Sequence, residues 1–181
     1  MRAIYLLLLV IFSGYLHAET DTTPQGDVDI RKYAGRWYEQ ARYENWFEKD
    51  MDNVYADYAL LKNGDIMVYN TGTNKRGRSK RSQGKATTVN PGELSVSFVW
   101  PYWWFRTPYR ILYVDKEYNT ALVSGVGNKY LWLLTREIFP GEHSMNRLRS
   151  EAQKRGFDIS RLRYTQHQKR KSTAPDTKKP G

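Results

Sequence analysis

The feature that most constrains the fold is a series of short β-like runs between Trp37 and Arg136, separated by turn residues. In one run Leu94, Val96 and Phe98 alternate with serines, the pattern of a strand with one buried face. We predict strands near residues 36–44, 53–61, 65–72, 81–89, 93–99, 109–115, 119–126 and 129–136.

A sheet of eight sequential strands has two open edges unless it closes on itself. Between Gly141 and Gly156 the apolar residues change to helical spacing, with Ser144 placed to cap the start and Gly156 to end the helix. Residues 157–166 then predict a short ninth strand. The predicted fold is all-β: an eight-stranded antiparallel up-and-down β-barrel with a C-terminal α-helix.

The N-terminus predicts export. Arg2, an apolar run and small residues up to Ala18 indicate a signal peptide over residues 1–18. We predict a flexible leader at 19–27, the barrel domain at 28–166 and a disordered basic tail at 167–181. The sequence contains no cysteine to acylate, so we predict a soluble periplasmic protein that is not a lipoprotein.

The net charge of +10 suits an anionic partner, which a nucleic acid, a phospholipid surface or an anionic ligand would each provide. Export argues against nucleic acid and leaves an anionic membrane surface as a partner. The residues offer little for catalysis: His143 and His167 lie far apart in the sequence, and no metal-ligand cluster or cofactor motif is present. We therefore predict a binding protein without a cofactor, not an enzyme.

Three short motifs occur in a fixed order. Val28–Glu39 carries a G-x-W motif, Asp115–Tyr118 has the form D-x-x-Y, and Thr135-Arg136 ends the last predicted strand. A G-x-W motif alone is shared with avidins, but the ordered set, followed by a helix, resembles the lipocalin family and most closely its bacterial members. The resemblance covers residues 28–166 and implies a small lipophilic ligand in the lumen, such as a fatty acid or lysophospholipid, and a role in envelope maintenance.

The resemblance gives the motif residues structural roles. Gly35 permits a tight entry into the first strand, Trp37 plugs the closed end of the barrel, and the Arg136 guanidinium lies across the indole. Asp115 and Tyr118 belong to the turn between strands six and seven.

Strand alternation, counted from Trp37 and Arg136, predicts which residues line the lumen. Glu39 carries a charge, whereas the other residues predicted to face inward with it do not. Its partner would be Arg110 or a tyrosine hydroxyl; alternatively, Glu39 is a structural group near the closed end. Ala41 and Leu134 are also predicted to face inward. With the aromatic residues of the loops added, the predicted ligand-binding residues are Tyr43, Trp46, Phe98, Trp100, Trp103, Trp104, Tyr109, Ile111, Tyr113, Tyr130 and Trp132.

Two predicted loops at the mouth have unusual compositions: residues 75–81 are basic, and residues 100–105 are almost all aromatic. We predict head-group or membrane contact by Lys75, Arg76, Arg78 and Arg110. The basic run would equally be solvated surface, and the aromatic residues could cap the barrel. The alternative function is a non-enzymatic module that docks a partner or a membrane through these loops.

Overall fold

The structure is a computed structural model that describes residues 19–98 and 106–168. In chain order its elements are α1 (Ile30–Tyr33), β1 (Gly35–Tyr43), β2 (Met51–Leu60), β3 (Ile66–Asn74), β4 (Ser79–Asn90), β5 (Glu93–Phe98), β6 (Arg106–Val114), β7 (Thr120–Ser124), β8 (Leu131–Thr135), α2 (Glu142–Lys154) and β9 (Leu162–Tyr164).

The strands form a closed barrel. Each strand from β2 to β7 pairs antiparallel with the strand that follows it in the chain. Strand β8 pairs with β1, and β1 pairs with β2, which closes the circuit. Closure leaves no unpaired edge along this circuit. The predicted eight-stranded antiparallel barrel is confirmed.

The ninth strand completes one part of the wall. The first half of β1 pairs with β2, from Gly35 opposite Tyr58 onward, whereas its second half pairs with β9, where Tyr43 lies opposite Leu162. β9 is shorter than the predicted 157–166, because a 3-10 turn at Ile159–Arg161 comes first. Since β9 replaces β2 beside β1, it joins the wall near the loop that follows β1.

Helix α2 packs against the outside of the barrel through an apolar stripe of Met145, Leu148 and Ala152. Gly141, not the predicted Ser144, is the N-cap, and no side chain caps the helix start. Gly156 follows the helix with a φ of 80°, as expected of a C-terminal stop. We call the apolar residues between the helix and the wall the outer cluster; its buried members are Ala41, Tyr43, Leu112, Leu122, Leu131, Leu133, Met145, Leu148, Ala152, Phe157 and Leu162.

A second apolar group, the interior cluster, fills the inner face of the barrel. The strand members alternate with outward-facing residues, so one face of each strand supplies the lining. The buried members are Tyr33, Trp37, Ala56, Tyr58, Ile66, Val68, Ala86, Leu94, Val96, Ile111, Val114, Ala121, Val123 and Leu134.

The sequence motifs meet at the closed end. The Arg136 guanidinium carbon lies 3.9 Å from the centre of the Trp37 ring, which is the stacking that the resemblance implied. The guanidinium also donates to the carbonyl oxygens of Arg36 at 2.7 Å and Ala34 at 2.8 Å. Gly35 has a φ of 98°, and a Cβ there would lie 3.2 Å from the guanidinium, so glycine suits this position for two reasons.

The D-x-x-Y turn is joined to the same end. The carbonyl oxygen of Tyr118 accepts a hydrogen bond from Arg136 Nε at 3.1 Å, and its hydroxyl accepts one from the backbone nitrogen of Asp29 at 2.7 Å. Asp115 Oδ1 accepts from the backbone nitrogen of Asn119 at 2.6 Å and closes the turn. Arg136 thus connects α1, β1 and the β6–β7 turn.

Both ends of the domain form hydrogen bonds with the barrel. In the predicted flexible leader, Gln25 donates from its backbone nitrogen to the Ile111 carbonyl at 2.9 Å, and its side chain accepts from Val114 at 2.8 Å. In the predicted tail, His167 Nε2 lies 2.7 Å from the Glu39 carbonyl oxygen. Residues 1–18 and 169–181, predicted as signal peptide and most of the tail, lie outside the described residues.

Replacing Trp37 with alanine should lower the free energy of unfolding by about 3–5 kcal/mol, because it removes a fully buried indole and leaves a cavity under Arg136. The matched control is Trp46→Ala, which removes an indole that is 74% exposed and should change stability by less than about 0.5 kcal/mol. Urea denaturation measures both. Equal losses in the two variants would contradict the role given to Trp37.

Candidate functional site

The interior of the barrel is completely buried at one end and only partly buried farther along. Trp37 and Ile111 are completely buried. By contrast, Phe98, Tyr109 and Trp132 pack against the interior cluster yet keep part of their surface accessible. Accessible surface on inward-facing aromatic residues indicates a space beside them. These three residues, all predicted ligand contacts, mark the candidate binding site.

Two β-bulges change which residues face inward. The pairing of β1 with β8 shifts between Glu39 and Ala41, and that of β6 with β7 shifts between Ile111 and Tyr113. One extra residue in a strand reverses the side to which all later side chains point. Tyr43, at the end of β1, therefore does not face the lumen.

Tyr43 and Tyr113, with Ala41, were predicted to line the lumen, and the structure corrects that placement. The Tyr43 ring packs against Phe157 in the outer cluster, and its hydroxyl donates to the carbonyl oxygen of Asp158 at 3.0 Å. Tyr113 packs against the same cluster beneath α2. Counting alternate residues from a motif gives the wrong face beyond the first bulge. The residue pattern of these strands does not predict the bulges.

Three tyrosine hydroxyls meet inside the barrel; we call them the tyrosine triad. The Tyr33 and Tyr109 oxygens are 2.6 Å apart, and the Tyr58 hydroxyl donates to Tyr109 at 2.8 Å. Burial raises the pKa of each of the three phenols, so all are protonated at neutral pH. Tyr33 and Tyr58 were not among the predicted ligand contacts, because α1 carries the first and alternation in β2 was not followed.

A buried polar group lies on the inner face nearer the mouth. Glu39 pairs across the sheet with Leu134, and Arg42 with Trp132, so both charged residues share the interior face. Arg42 Nη1 lies 2.5 Å from Glu39 Oε1, and the Thr165 hydroxyl of the C-terminal segment also donates to Glu39. Burial raises the pKa of Glu39, although Arg42 opposes this effect.

Arg110 is not the partner of Glu39. It follows the inward-facing Tyr109 and therefore points outward, where its Nε lies 3.1 Å from Glu93 Oε1. The predicted pairing of Arg110 with Glu39 is wrong, and its head-group contact stays a prediction. Arg42 was missed as the partner because strict alternation from Trp37 places it on the outer face.

The mouth carries a column of aromatic rings. Phe47 stacks on Tyr130 with 6.0 Å between ring centres, and Tyr130 stacks on Trp132 at the same distance. The Trp132 indole nitrogen donates to Glu48 Oε2 at 3.0 Å. Trp46 contacts Phe47 edge-on and is 74% exposed. The column runs from the loop surface to the lumen, with a carboxylate at its inner end.

The predicted basic loop is a tight turn at the same mouth. Lys75 Nζ lies 2.7 Å from Asp50 Oδ1, so the β3–β4 turn adjoins the β1–β2 loop. The backbone nitrogens of Arg76 and Arg78 each donate to Asn74 Oδ1 at 3.0 Å, and both residues are exposed. Their head-group contact stays a prediction.

The predicted ligand contacts Trp100, Trp103 and Trp104 lie outside the described residues. Within residues 19–98 and 106–168, no three histidine or acidic side chains lie close enough together to hold a metal ion. No helix in this part of the chain has the length and hydropathy to cross a bilayer.

Comparison with known proteins finds a matching family profile and several similar sequences. A family profile for a lipocalin-like domain matches residues 28–167. The chain is 37% identical over 174 residues to the outer membrane lipoprotein Blc of Vibrio cholerae, covering 93% of this chain and 100% of the relative. It is 34% identical over 154 residues to the protein of the same name in Escherichia coli K12, covering 80% and 85%.

Solved structures agree on the fold. Insecticyanin from the tobacco hornworm Manduca sexta superposes with a TM-score of 0.67 at 16% identity, covering 82% of this chain and 85% of that chain. At this level of identity the likeness concerns the fold alone.

The relatives correct the predicted location. Proteins from Vibrio cholerae, two Escherichia coli strains and Citrobacter freundii all carry the name outer membrane lipoprotein. These names point to a lipoprotein anchored in a membrane, so the prediction of a soluble periplasmic protein that is not a lipoprotein is wrong. It rested on the predicted signal peptide, whose apolar run is too short to span a bilayer, and on the absence of cysteine from the sequence.

The evidence for the family now comes from three sides. The barrel has the predicted strand order and an external helix, the motif residues meet at its closed end, and the family profile covers nearly the whole described barrel. The bacterial relatives match across most of their own length. The chain belongs to the lipocalin family.

Proposed function

We propose that the protein binds and carries a fatty acid or lysophospholipid in the barrel lumen at the cell envelope. The observation that carries the proposal is that Phe98, Tyr109 and Trp132 pack against the interior apolar cluster and are only partly buried. An apolar lumen takes up an acyl chain because burial removes its surface from water. The polar head then stays at the mouth.

Membership of the family supports this proposal. Lipocalins are in general binding and transport proteins, and they take small hydrophobic ligands. The relatives named outer membrane lipoprotein favour a place at the envelope for this chain as well.

The mouth suits an amphiphile. The rings of Phe47, Tyr130 and Trp132 offer an apolar path into the lumen, and the exposed side chains of Arg76 and Arg78 supply positive charge on the adjoining turn. An anionic head group between them would gain charge-assisted hydrogen bonds. This arrangement favours anionic amphiphiles over neutral ones.

One negative group at the mouth opposes that preference. Burial raises the pKa of Glu48 to about 7, and the nearby Glu39 carboxylate adds to the effect. Asn45 and Trp132 donate hydrogen bonds to its carboxylate and hold it beside the aromatic column. Glu48 is therefore charged above about pH 7 and neutral below it.

Replacing Phe98 with alanine should weaken hexadecanoic acid binding about tenfold, because the acyl chain loses an apolar contact worth roughly 1.4 kcal/mol. Displacement of a fluorescent fatty acid measures the affinity. The control is Tyr69→Ala, since Tyr69 follows the interior Val68, faces outward and stacks on Arg81. If Phe98→Ala binds like the wild type, or no fatty acid or lysophospholipid displaces the reporter at all, the lumen is not the site.

Lowering the pH from 8 to 6 should strengthen binding of lysophosphatidylglycerol relative to lysophosphatidylcholine by about two- to fourfold. Neutralising Glu48 removes a negative charge at the mouth, where the anionic head is proposed to lie, and the charges on both lipids are constant over this range. The folded-state pKa of Glu48 is raised, so the carboxylate is neutral at the acid end. In Glu48→Gln the affinity ratio should not change with pH, and a persistent change would assign the effect to another group.

A second candidate function is attachment of the mouth to an anionic lipid surface, as in the docking-module alternative. The observation in its favour is the exposed pair Trp46 and Phe47, of which 74% and 46% of the surface is accessible. Lys49 lies on the same loop and Arg76 on the adjoining β3–β4 turn, and both would meet acidic head groups.

Trp46→Ala should reduce the fraction of protein that co-sediments with phosphatidylglycerol vesicles, because it removes the most exposed apolar side chain of the described mouth. Affinity for hexadecanoic acid should be unchanged, which separates membrane attachment from lumen binding. Equal sedimentation of variant and wild type would remove this candidate.

A further inference from the structure

The tyrosine triad places three polar groups where apolar ones would pack equally well. Apart from these hydroxyls, the interior cluster around Tyr33, Tyr58 and Tyr109 is built mainly from aliphatic side chains. Burying a hydroxyl without a hydrogen bond costs free energy, and phenylalanine would keep the ring contacts without that cost. Packing alone therefore does not explain the presence of the three hydroxyl groups.

The hydrogen bonds within the triad do not use all three of its hydroxyl protons. Three hydroxyl protons are present, but only two hydrogen bonds join the oxygens, one from Tyr58 to Tyr109 and one between Tyr33 and Tyr109. Within residues 19–98 and 106–168 no other group bonds to these hydroxyls. One proton is left over, on Tyr33 or on Tyr109 according to which of them donates.

Accessibility decides which hydroxyl meets a ligand. Tyr33 is completely buried, whereas Tyr109 is only partly buried. A phenolic oxygen can accept two hydrogen bonds and donate one. Tyr33 and Tyr58 can therefore both donate to Tyr109, which leaves the Tyr109 proton free to donate into the lumen.

The surroundings of Tyr109 favour a neutral hydrogen-bond acceptor over a carboxylate. Arg136 is at the closed end and committed to backbone carbonyl oxygens, so it is not a counter-ion for a group in the lumen. A carboxylate beside Tyr109 would lose its hydration without gaining a cationic partner. A hydroxyl or carbonyl oxygen needs only the single donor that the triad offers.

We infer that the lumen recognises a neutral oxygen, a hydroxyl or carbonyl group on the apolar body of the ligand, through a hydrogen bond donated by Tyr109. This inference rests on the proposed function, because it specifies the ligand of the same lumen. The ligand class is an amphiphile with a polar head at the mouth and a second, uncharged oxygen at its deep end, as in a hydroxylated or oxo acyl chain.

The test compares fatty acids with their ω-hydroxy derivatives, using chains of twelve, fourteen and sixteen carbons so that one places its hydroxyl at Tyr109. Displacement of a fluorescent fatty acid gives the affinities. For the matching chain length, Tyr109→Phe should weaken binding of the ω-hydroxy acid relative to its parent acid by about fivefold compared with the wild type, since a neutral hydrogen bond contributes about 1 kcal/mol.

Tyr33→Phe is the matched control, because it also removes a triad hydroxyl but leaves the Tyr109 proton free. It should keep the wild-type ratio, as should Tyr55→Phe, where the ring faces Tyr38 and Arg36 outside the barrel. Thermal unfolding checks each fold, and Tyr109→Met replaces Tyr109→Phe if the latter does not fold.

The outcomes separate the two hypotheses. If the parent acids bind but the ratio is the same in the wild type and Tyr109→Phe at every chain length, the triad does not contact the ligand and only the present inference is overturned. If neither parent nor hydroxy acids bind to the wild-type protein, the proposed function is overturned and the inference with it.

Discussion

The contact between Arg136 and Trp37 fixes the closed end on which the rest of the barrel is arranged. A guanidinium is planar and carries five donors, so one face can lie on an indole while its edges donate to backbone carbonyl oxygens. Here those oxygens come from α1, the start of β1 and the β6–β7 turn. One side chain near the end of β8 thus holds together parts of the chain that are distant in sequence. A lysine, with a single compact charge and no flat face, could not do the same.

The predictions from sequence succeeded where a local pattern has one structural meaning. Alternation around Leu94 and Val96 and the helical spacing that includes Leu148 both gave the correct element. The motif residues Trp37 and Arg136 could be paired in advance because a known family shares them. Strand number, order and the external helix followed from these patterns together.

Predictions about the site failed where a single residue changes the geometry. A bulge requires only that one extra residue fit between two ladder hydrogen bonds, and ordinary side chains allow this. Gln40 and Leu112 lie at the two bulges, and neither has a distinctive character. The errors at Tyr43 and Arg42 follow from the same cause, since both residues come after the first bulge. The partnership of Arg42 with Glu39 was thus hidden from any count of alternating positions.

Because β9 is inserted beside β1, the wall of the barrel is complete only when the last strand has joined it. Backbone hydrogen bonds join Thr165 to Gln40 at 3.0 Å and Asn53 to Gln166 at 2.8 Å, so the wall beside the mouth uses both ends of the domain. Until the last strand is in place, the second half of β1 has no partner on that side. Pairings between such distant segments form slowly, and an unpaired edge can join another chain. Pairing of β9 with the second half of β1 therefore removes this edge and completes the wall.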